Sequence, residues 1–289
     1  MKIQDACLPC ITAQAVSCAA LIPEADRPAF YHSVFHTLAQ LDFNQPAPAA
    51  IGAVYRLVKQ TLRTEDPYAS LRQRVNESLL AEVPALSLRI SQAPDPFAEA
   101  LRLAILANGF DFNPIHHPDF NQMLTEFKTA LDVPFVLETT VLKQALSEAR
   151  TVLVLGDNFG EVVIDALLLE QIHRLNPDLN LVYAVRGQSV VNDVIAADAR
   201  QAGIPRWAQI LSNGDDALGT LLPRTSPEFQ AIYHQADLLL CKGQANYECL
   251  IDQPEKSRYF LLKIKCSVLA LRTGLSIGTL ACLAAPAGL

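Results

Sequence analysis

Between Thr151 and Glu161 the chain runs Thr-Val-Leu-Val-Leu and then turns polar at once, as Gly156-Asp157-Asn158-Phe159-Gly160-Glu161. An apolar-periodic stretch, Val162 to Leu175, follows without a gap. That order reads as a buried strand, a tight turn and a helix. The pattern continues downstream. Strand-like runs at Val152–Leu155, Leu181–Val185, Ala208–Leu211, Leu238–Cys241 and Phe260–Ile264 are separated by Glu161–Leu175, Asn192–Ala202, Ser226–Gln235 and Asn246–Ile251, which can supply crossovers. Such alternation predicts an α/β fold with a largely parallel sheet and helices on both faces.

Before Glu148 the pattern is mostly helical and punctuated by prolines. Ala69 to Val83 carries a helix-like charge and Leu spacing, and Thr139 to Arg150 reads as another helix. Asp95 can cap a helix with Pro96 in its first position, running through Phe97 to Ala107 and stopping at Asn108-Gly109. The expected organisation is a mainly helical region, 1–148, packed on an α/β metal-binding region, 149–289, within one integrated domain. The formal net charge of −7 argues against a nucleic-acid-binding surface. Seven cysteines at irregular spacings do not form a secreted disulfide framework. The apolar tail from Thr273 to Leu289 is broken by Gly274, Gly278 and Pro286, so a paired strand or docked segment fits better than a membrane span. With no signal-peptide pattern at the start, the cytoplasm is the expected location.

In open parallel sheets, ligands gather outside the carboxyl ends of the strands. There this sequence places Asp157, Asn158 and Glu161, then Arg186 and Gly187 with Asn192-Asp193 close behind. Ser212-Asn213-Gly214-Asp215 ends the third strand, and Lys242-Gly243 with Asn246 and Glu248 ends the fourth. Oxygen donors of this kind suit a hard divalent cation such as Mg2+ or Mn2+. Lys242 and Arg186 suit an anionic group such as phosphate. Taken singly, each has an ordinary structural explanation: Asp and Asn cap helices, and glycines make turns. Four polar turns on one edge, carrying both signs of charge, point to one cleft.

The ordered set Gly156-Asp157-Asn158-Phe159-Gly160-Glu161, Val185-Arg186-Gly187 with Asn192-Asp193, and Ala236-Asp237 through Lys242-Gly243-Gln244-Ala245-Asn246-Tyr247-Glu248 resembles the family once labelled domain of unknown function 89. Its members include metal-dependent damage-control phosphatases. Cys7-x-x-Cys10 resembles one branch of it, and Asn108-Gly109-Phe110-Asp111-Phe112 is similar to a looser family element. The resemblance implies a three-layer α/β/α fold with a mostly parallel, Rossmann-like sheet and an added N-terminal helical bundle. It implies a divalent cation (Mn2+, Mg2+, Co2+ or Ni2+) held by Asp157, Asn158 and Asp193. It also implies hydrolysis of small phosphate esters, either sugar phosphates or damaged phosphometabolites. Lys242 would then contact the substrate phosphate, with Arg186, Asn108, Asp111 and Asn246 also toward substrate. Glu161 would be a general base or an orienter of the ligands, or simply a favourable charge at a helix start. Phe159 stands where a small residue is more usual, which implies a narrowed cleft.

Two other classes compete with this one. A nucleotide- or methyl-donor-dependent transferase usually needs Gly-x-Gly and an acidic residue ending the second strand; this chain has Gly-x-x-x-Gly and Arg186. A non-catalytic metal or redox module built on Cys7 and Cys10 leaves the strand-end cluster without a role. No second Cys-x-x-Cys or His pair completes a zinc site, so the cysteine pair is expected to lie outside the catalytic core. His116-His117 and His32/His36 read as ordinary surface or satisfied histidines.

Overall fold

The computed structural model describes residues 1–110, 119–131 and 139–285. Helices α1 (Cys7–Cys18), α2 (Arg27–Leu38), α3 (Ala47–Leu62), α4 (Ala69–Gln92), α5 (Pro96–Leu106), α6 (Phe120–Ala130) and α7 (Thr140–Glu148) come first. Strands and helices then alternate: β1 (Thr151–Leu155), α8 (Glu161–Leu175), β2 (Asn180–Val185), α9 (Ala196–Gln201), β3 (Gln209–Ser212), α10 (Pro227–Gln235), β4 (Leu238–Lys242) and α11 (Gly243–Leu250). The chain closes with β5 (Ser257–Lys263), α12 (Ser267–Thr273) and β6 (Leu280–Ala285). Local chemistry explains several boundaries. Asp95 accepts a hydrogen bond from the Ala98 amide with Pro96 at the start of α5, and Ser226 caps α10 in the same way. The helix read from Ala69 runs on past Pro84 to Gln92, longer than its Leu spacing indicated.

The strand order is β3-β2-β1-β4-β5-β6. The first five strands are parallel, and β6 pairs antiparallel with β5. The apolar tail thus supplies an edge strand. No helix among the described residues is long and apolar enough to cross a membrane. Alternate strand residues divide between two cores, as the pleat requires. Val152, Val154, Tyr183, Val185, Leu238, Leu240 and Leu261 pack toward α4, α5 and α8, in a core that also takes in Ala15 and Val54 of the N-terminal helices. Leu153, Leu155, Val182, Ala184, Leu239, Cys241 and Phe260 pack on the opposite face with Phe229 and Leu250. Helix α8 has nearly every residue from Glu161 to Ile172 buried, so it is packed on every side. The order in which parallel strands are added to the sheet reverses between β1 and β4, and a crevice opens there at the strands' carboxyl ends.

Candidate active site

Two turns meet in that crevice. The turn after β1 carries Asp157 and Asn158; the turn after β2 carries Asn192 and Asp193. They are stitched by an isolated antiparallel bridge between Asn158 and Asp193. The Phe159 amide donates to Asn192 O at 2.9 Å and the Val194 amide to Asp157 O at 2.8 Å. Val191, just before Asn192, is a buried β-branched residue at φ 42°, a left-handed conformation that costs free energy and clusters at functional sites. Helix α4 reinforces the turns from below. Arg72 donates to Asp193 O at 3.0 Å and to Asp198 Oδ2 at 2.6 Å, and Asn76 Oδ1 accepts from the Gly160 amide at 2.6 Å.

Asp157, Asn158, Asn192 and Asp193 line one cleft of about 190 Å3. Asn108, at the end of α5, donates to Asp157 Oδ2 at 2.9 Å and to Glu161 Oε2 at 3.1 Å. The Asn158 amide donates to the same two carboxylates, at 2.8 and 3.1 Å, while its Oδ1 accepts from Asn192 at 2.7 Å. Among the described residues, Asp157 Oδ1 and Asp193 Oδ1 receive no hydrogen bond. Burial, followed by the nearby Glu161 and Asp193 charges, pushes the Asp157 carboxyl well above its ordinary range. Burial also raises Asp193, against the pull of Arg186. Crowded, desolvated carboxylates of this sort are a place where added positive charge is favourable.

No three His, Cys, Asp or Glu side chains converge as a metal site among the described residues. The Asp157, Asn158 and Asp193 set has only two carboxylates and completes its oxygen donors with an amide. An amide oxygen has two lone pairs, so Asn158 Oδ1 can serve both Asn192 and a cation. The set therefore fits a hard divalent ion.

Gly243 opens α11 at φ 76°, and a Cβ there would lie 1.8 Å from Asp157 Oδ2. Only glycine lets the β4 turn come this close to the carboxylate.

Several expected substrate contacts fall elsewhere. Lys242 is 0 % exposed, bonded to Glu161 Oε1 at 2.6 Å, to Asp165, and to Ala104 O at 2.9 Å. An ammonium has three donors, and all three are taken, so Lys242 does not face a phosphate. Although burial alone would lower it, the Asp165 and Glu161 carboxylates push the Lys242 ammonium up, and burial pushes the Asp165 carboxyl above its ordinary range. Arg186 is also corrected: its Nε bonds Asp193 Oδ2 at 2.6 Å, its Nη2 bonds Gly156 O at 3.2 Å, and its Nη1 is buried without a partner. It orients Asp193 from behind. Asn246 is buried as a strap, donating to Gly156 O and Lys242 O and accepting from Thr220. Asn108 bonds Asp157 and Glu161 and does not itself line the cleft. Glu161 is 0 % exposed, which suits holding Asn108 and Asn158 better than direct proton transfer with substrate. Phe159 packs in the core under Arg72, 4.8 Å from its guanidinium carbon, so it does not narrow the cleft. The turn after β3 is turned away: Asn213 binds the Gly187 and Asp215 amides, and Asp215 pairs with Arg224. Asp111 and His116-His117 lie outside the described residues.

Other cleft residues were not anticipated. Lys265, just beyond β5, lines the cleft, and its charge opposes the upward shift of Asp157. Extending the strand-end reading to the fifth strand would have found it. Cys7, Cys10 and Cys266 also line the cleft, so the cysteine pair stands at the site and not outside it.

The model of the damage-control phosphatase ARMT1-like domain matches residues 3–279. A damage-control phosphatase of Archaeoglobus fulgidus is 31% identical over 284 residues, spanning 96% of this chain and 97% of that protein. One from Pyrococcus horikoshii is 27% identical over 291 residues, spanning 98% of each. The crystal structure of a DUF89 family protein from Pyrococcus horikoshii has the same fold, with a TM-score of 0.86 at 24% identity over 99% of both chains. With a family match over nearly its whole length and that fold around the β1/β4 crevice, the chain belongs to the damage-control phosphatase ARMT1-like (DUF89) family.

Proposed function

We propose that this protein is a metal-dependent phosphatase of small phosphate monoesters, sugar phosphates or damaged phosphometabolites among them. The observation that carries the reading is the delivery of Asp157 and Asp193 by two separate, mutually bonded turns into one cleft at the sheet's reversal point. Relatives named damage-control phosphatases over the full length of the chain support the same chemistry. Asp157, Asn158 and Asp193 are the residues that would hold the ion. A divalent cation bound there supplies Lewis acidity and an activated water for attack on phosphorus.

The protein's own groups do the rest. Arg186 and the Gly219 amide fix Asp193 Oδ2, leaving Oδ1 toward the cleft. Asn108 does the same for Asp157. Lys242 neutralises Glu161 and Asp165 beneath the ligands, which keeps the buried charge near the site tolerable. Lys265 is placed to offset charge on a phosphoryl group in the cleft. The test is a phosphate-ester panel assayed with Mg2+, Mn2+, Co2+ and Ni2+, on wild type, Asp157→Ala and Asp193→Ala. Turnover that needs a divalent ion and disappears in both folded variants is expected. Equal metal affinity in all three proteins would remove these residues from the site.

A further inference from the structure

The cysteine pair has no part in the hydrolysis just described, yet it forms part of the cleft wall. Cys7 is the first residue of α1 and Cys10 lies one turn on; both line the cleft with Cys266, and none of the seven cysteines is in a disulfide. Helical geometry sets Cα atoms three residues apart at about 5 Å. That falls inside the roughly 4.4–6.8 Å range a disulfide accepts. Cys10 is exposed, whereas Cys7 is half-buried. The Cys7 sulfur accepts a hydrogen bond from the Gln4 amide at 3.5 Å, in a segment whose Met1, Lys2 and Ala6 line the same cleft. On the other side, Gln244 bridges Cys266 Sγ at 3.5 Å and Glu248 at 2.6 Å.

We propose that Cys7 and Cys10 form a reversible disulfide that reshapes the cleft wall and so couples substrate binding to thiol redox state. The activity readout rests on the phosphatase reading above; the disulfide itself does not. The co-reactant is a low-molecular-weight disulfide. The exposed Cys10 thiolate attacks one of its sulfurs, giving a mixed disulfide and releasing one thiolate. The Cys7 thiolate then attacks the Cys10 sulfur and releases the second small thiolate. Both protein protons end on the two released thiols, so one disulfide is reduced as the other forms. Burial pushes the Cys7 thiol up, against the hydrogen bond from the Gln4 amide; the exposed Cys10 is the sulfur a small disulfide reaches first, so the Cys10 adduct precedes the Cys7–Cys10 bond. Turning Cys7 toward Cys10 takes its sulfur from the Gln4 amide and frees the 1–6 segment of the wall. The metal-ligand turns, on other elements, stay in place.

The test incubates the full protein with oxidised glutathione and follows intact mass and a peptide map over time. In parallel it measures KM for a phosphate ester, metal dependence of turnover and inorganic-phosphate affinity, each before and after dithiothreitol. A glutathione adduct on Cys10 that converts to a Cys7–Cys10 disulfide is expected. With it, KM should rise at least roughly fourfold, the worth of one methylene-sized apolar contact, and dithiothreitol should reverse the change. Metal dependence should not move. Cys10→Ser should show neither the disulfide nor the redox shift in KM, and Cys7→Ser should stop at the adduct. Absence of the Cys7–Cys10 disulfide in wild type, a Cys7–Cys266 linkage in its place, or a disulfide that changes neither KM nor phosphate affinity would overturn the proposal. If the reduced protein hydrolyses no ester, the phosphatase reading fails by itself, and the peptide map with phosphate affinity still decides the gate.

Discussion

At the scale of single residues, the two lysines near the cleft do different work. Lys242 has no solvent exposure and holds two buried carboxylates, while Lys265 is half-buried and lines the cleft. Removing one partner of a buried ionic cluster leaves uncompensated charge, so Lys242→Ala should lower stability by about 3–5 kcal/mol. Lys265→Ala should weaken inorganic-phosphate binding by about 1.5–3 kcal/mol. Denaturant titrations beside phosphate titrations of the two variants check this; the opposite assignment of effects would restore Lys242 as the phosphate contact. Strand parity already contained the answer. Leu238 and Leu240 face the α8 side of the sheet, so Lys242, two further on, faces it too. Glu161 and Asp165 are four apart on α8, hence on one face of that helix. Reading Lys242 by its strand end alone missed this. Gly243 gives a sharper case. A Cβ there would collide with Asp157 Oδ2 and would sit at a positive φ, and the chain cannot yield without moving the carboxylate. Gly243→Ala should cost about 1–3 kcal/mol of stability and abolish metal-dependent turnover, read by denaturation and metal titration. Wild-type metal affinity in that variant would mean that Asp157 is not a ligand.

At the scale of elements, local pattern was legible and partnership was not. The strand–turn–helix of β1 and α8 and the Asp95 cap of α5 are short-range signals, each fixed by residues within a few positions. What α4 does depends on distant partners. Its Arg72 and Asn76 reach residues more than a hundred positions away, and no local spacing announces that. The same holds where α4, α5 and the end of α6 meet. Glu99 Oε1 accepts from Arg89 Nε at 2.6 Å and from Arg102 Nη2 at 2.7 Å, and both arginines donate to Leu131 O. This clamp holds the helix whose end presents Asn108 to Asp157. Hydrogen bonds from Arg102, then from Arg89, hold the Glu99 carboxyl below its ordinary 4.5. A depressed carboxylate contributes stability above its unfolded pKa and loses it as pH falls through the folded value. Glu99→Gln should therefore be less stable than wild type near neutrality. The gap should close in acid, below the ordinary carboxylate range. Urea titrations across that range decide it, and a gap that persists undiminished in acid would mean the carboxylate charge is not what stabilises the clamp.

At the scale of the whole molecule, the site exists only because the fold is assembled. Asp157 and Asp193 are 36 positions apart, and the turns that carry them are fixed by strands on one side and by α4 on the other. The sequence could bring the Asp157-Asn158 and Asn192-Asp193 turns to one sheet edge, since helix and strand periodicity mark the strand ends. It could not show that Arg186 and Asn246 are spent holding those turns from beneath, because that depends on which strands are neighbours. An unfolded chain has no such arrangement, so an ion that binds here binds the native state alone and must stabilise it by mass action. At a free concentration of one hundred times its dissociation constant the gain is about 2.7 kcal/mol. Unfolding entropy grows with length, and for 289 residues that gain corresponds to a rise of about 4 °C in melting temperature. Thermal unfolding with and without saturating Mn2+, after chelation, measures it. Asp193→Ala should lose the rise, because only Asp157 and Asn158 then remain to hold the ion. Lys265→Ala should keep it, since that side chain is not among the proposed holders of the ion. A wild-type melting temperature that does not respond to any of Mg2+, Mn2+, Co2+ or Ni2+ would remove the metal from the site, whatever the relatives do.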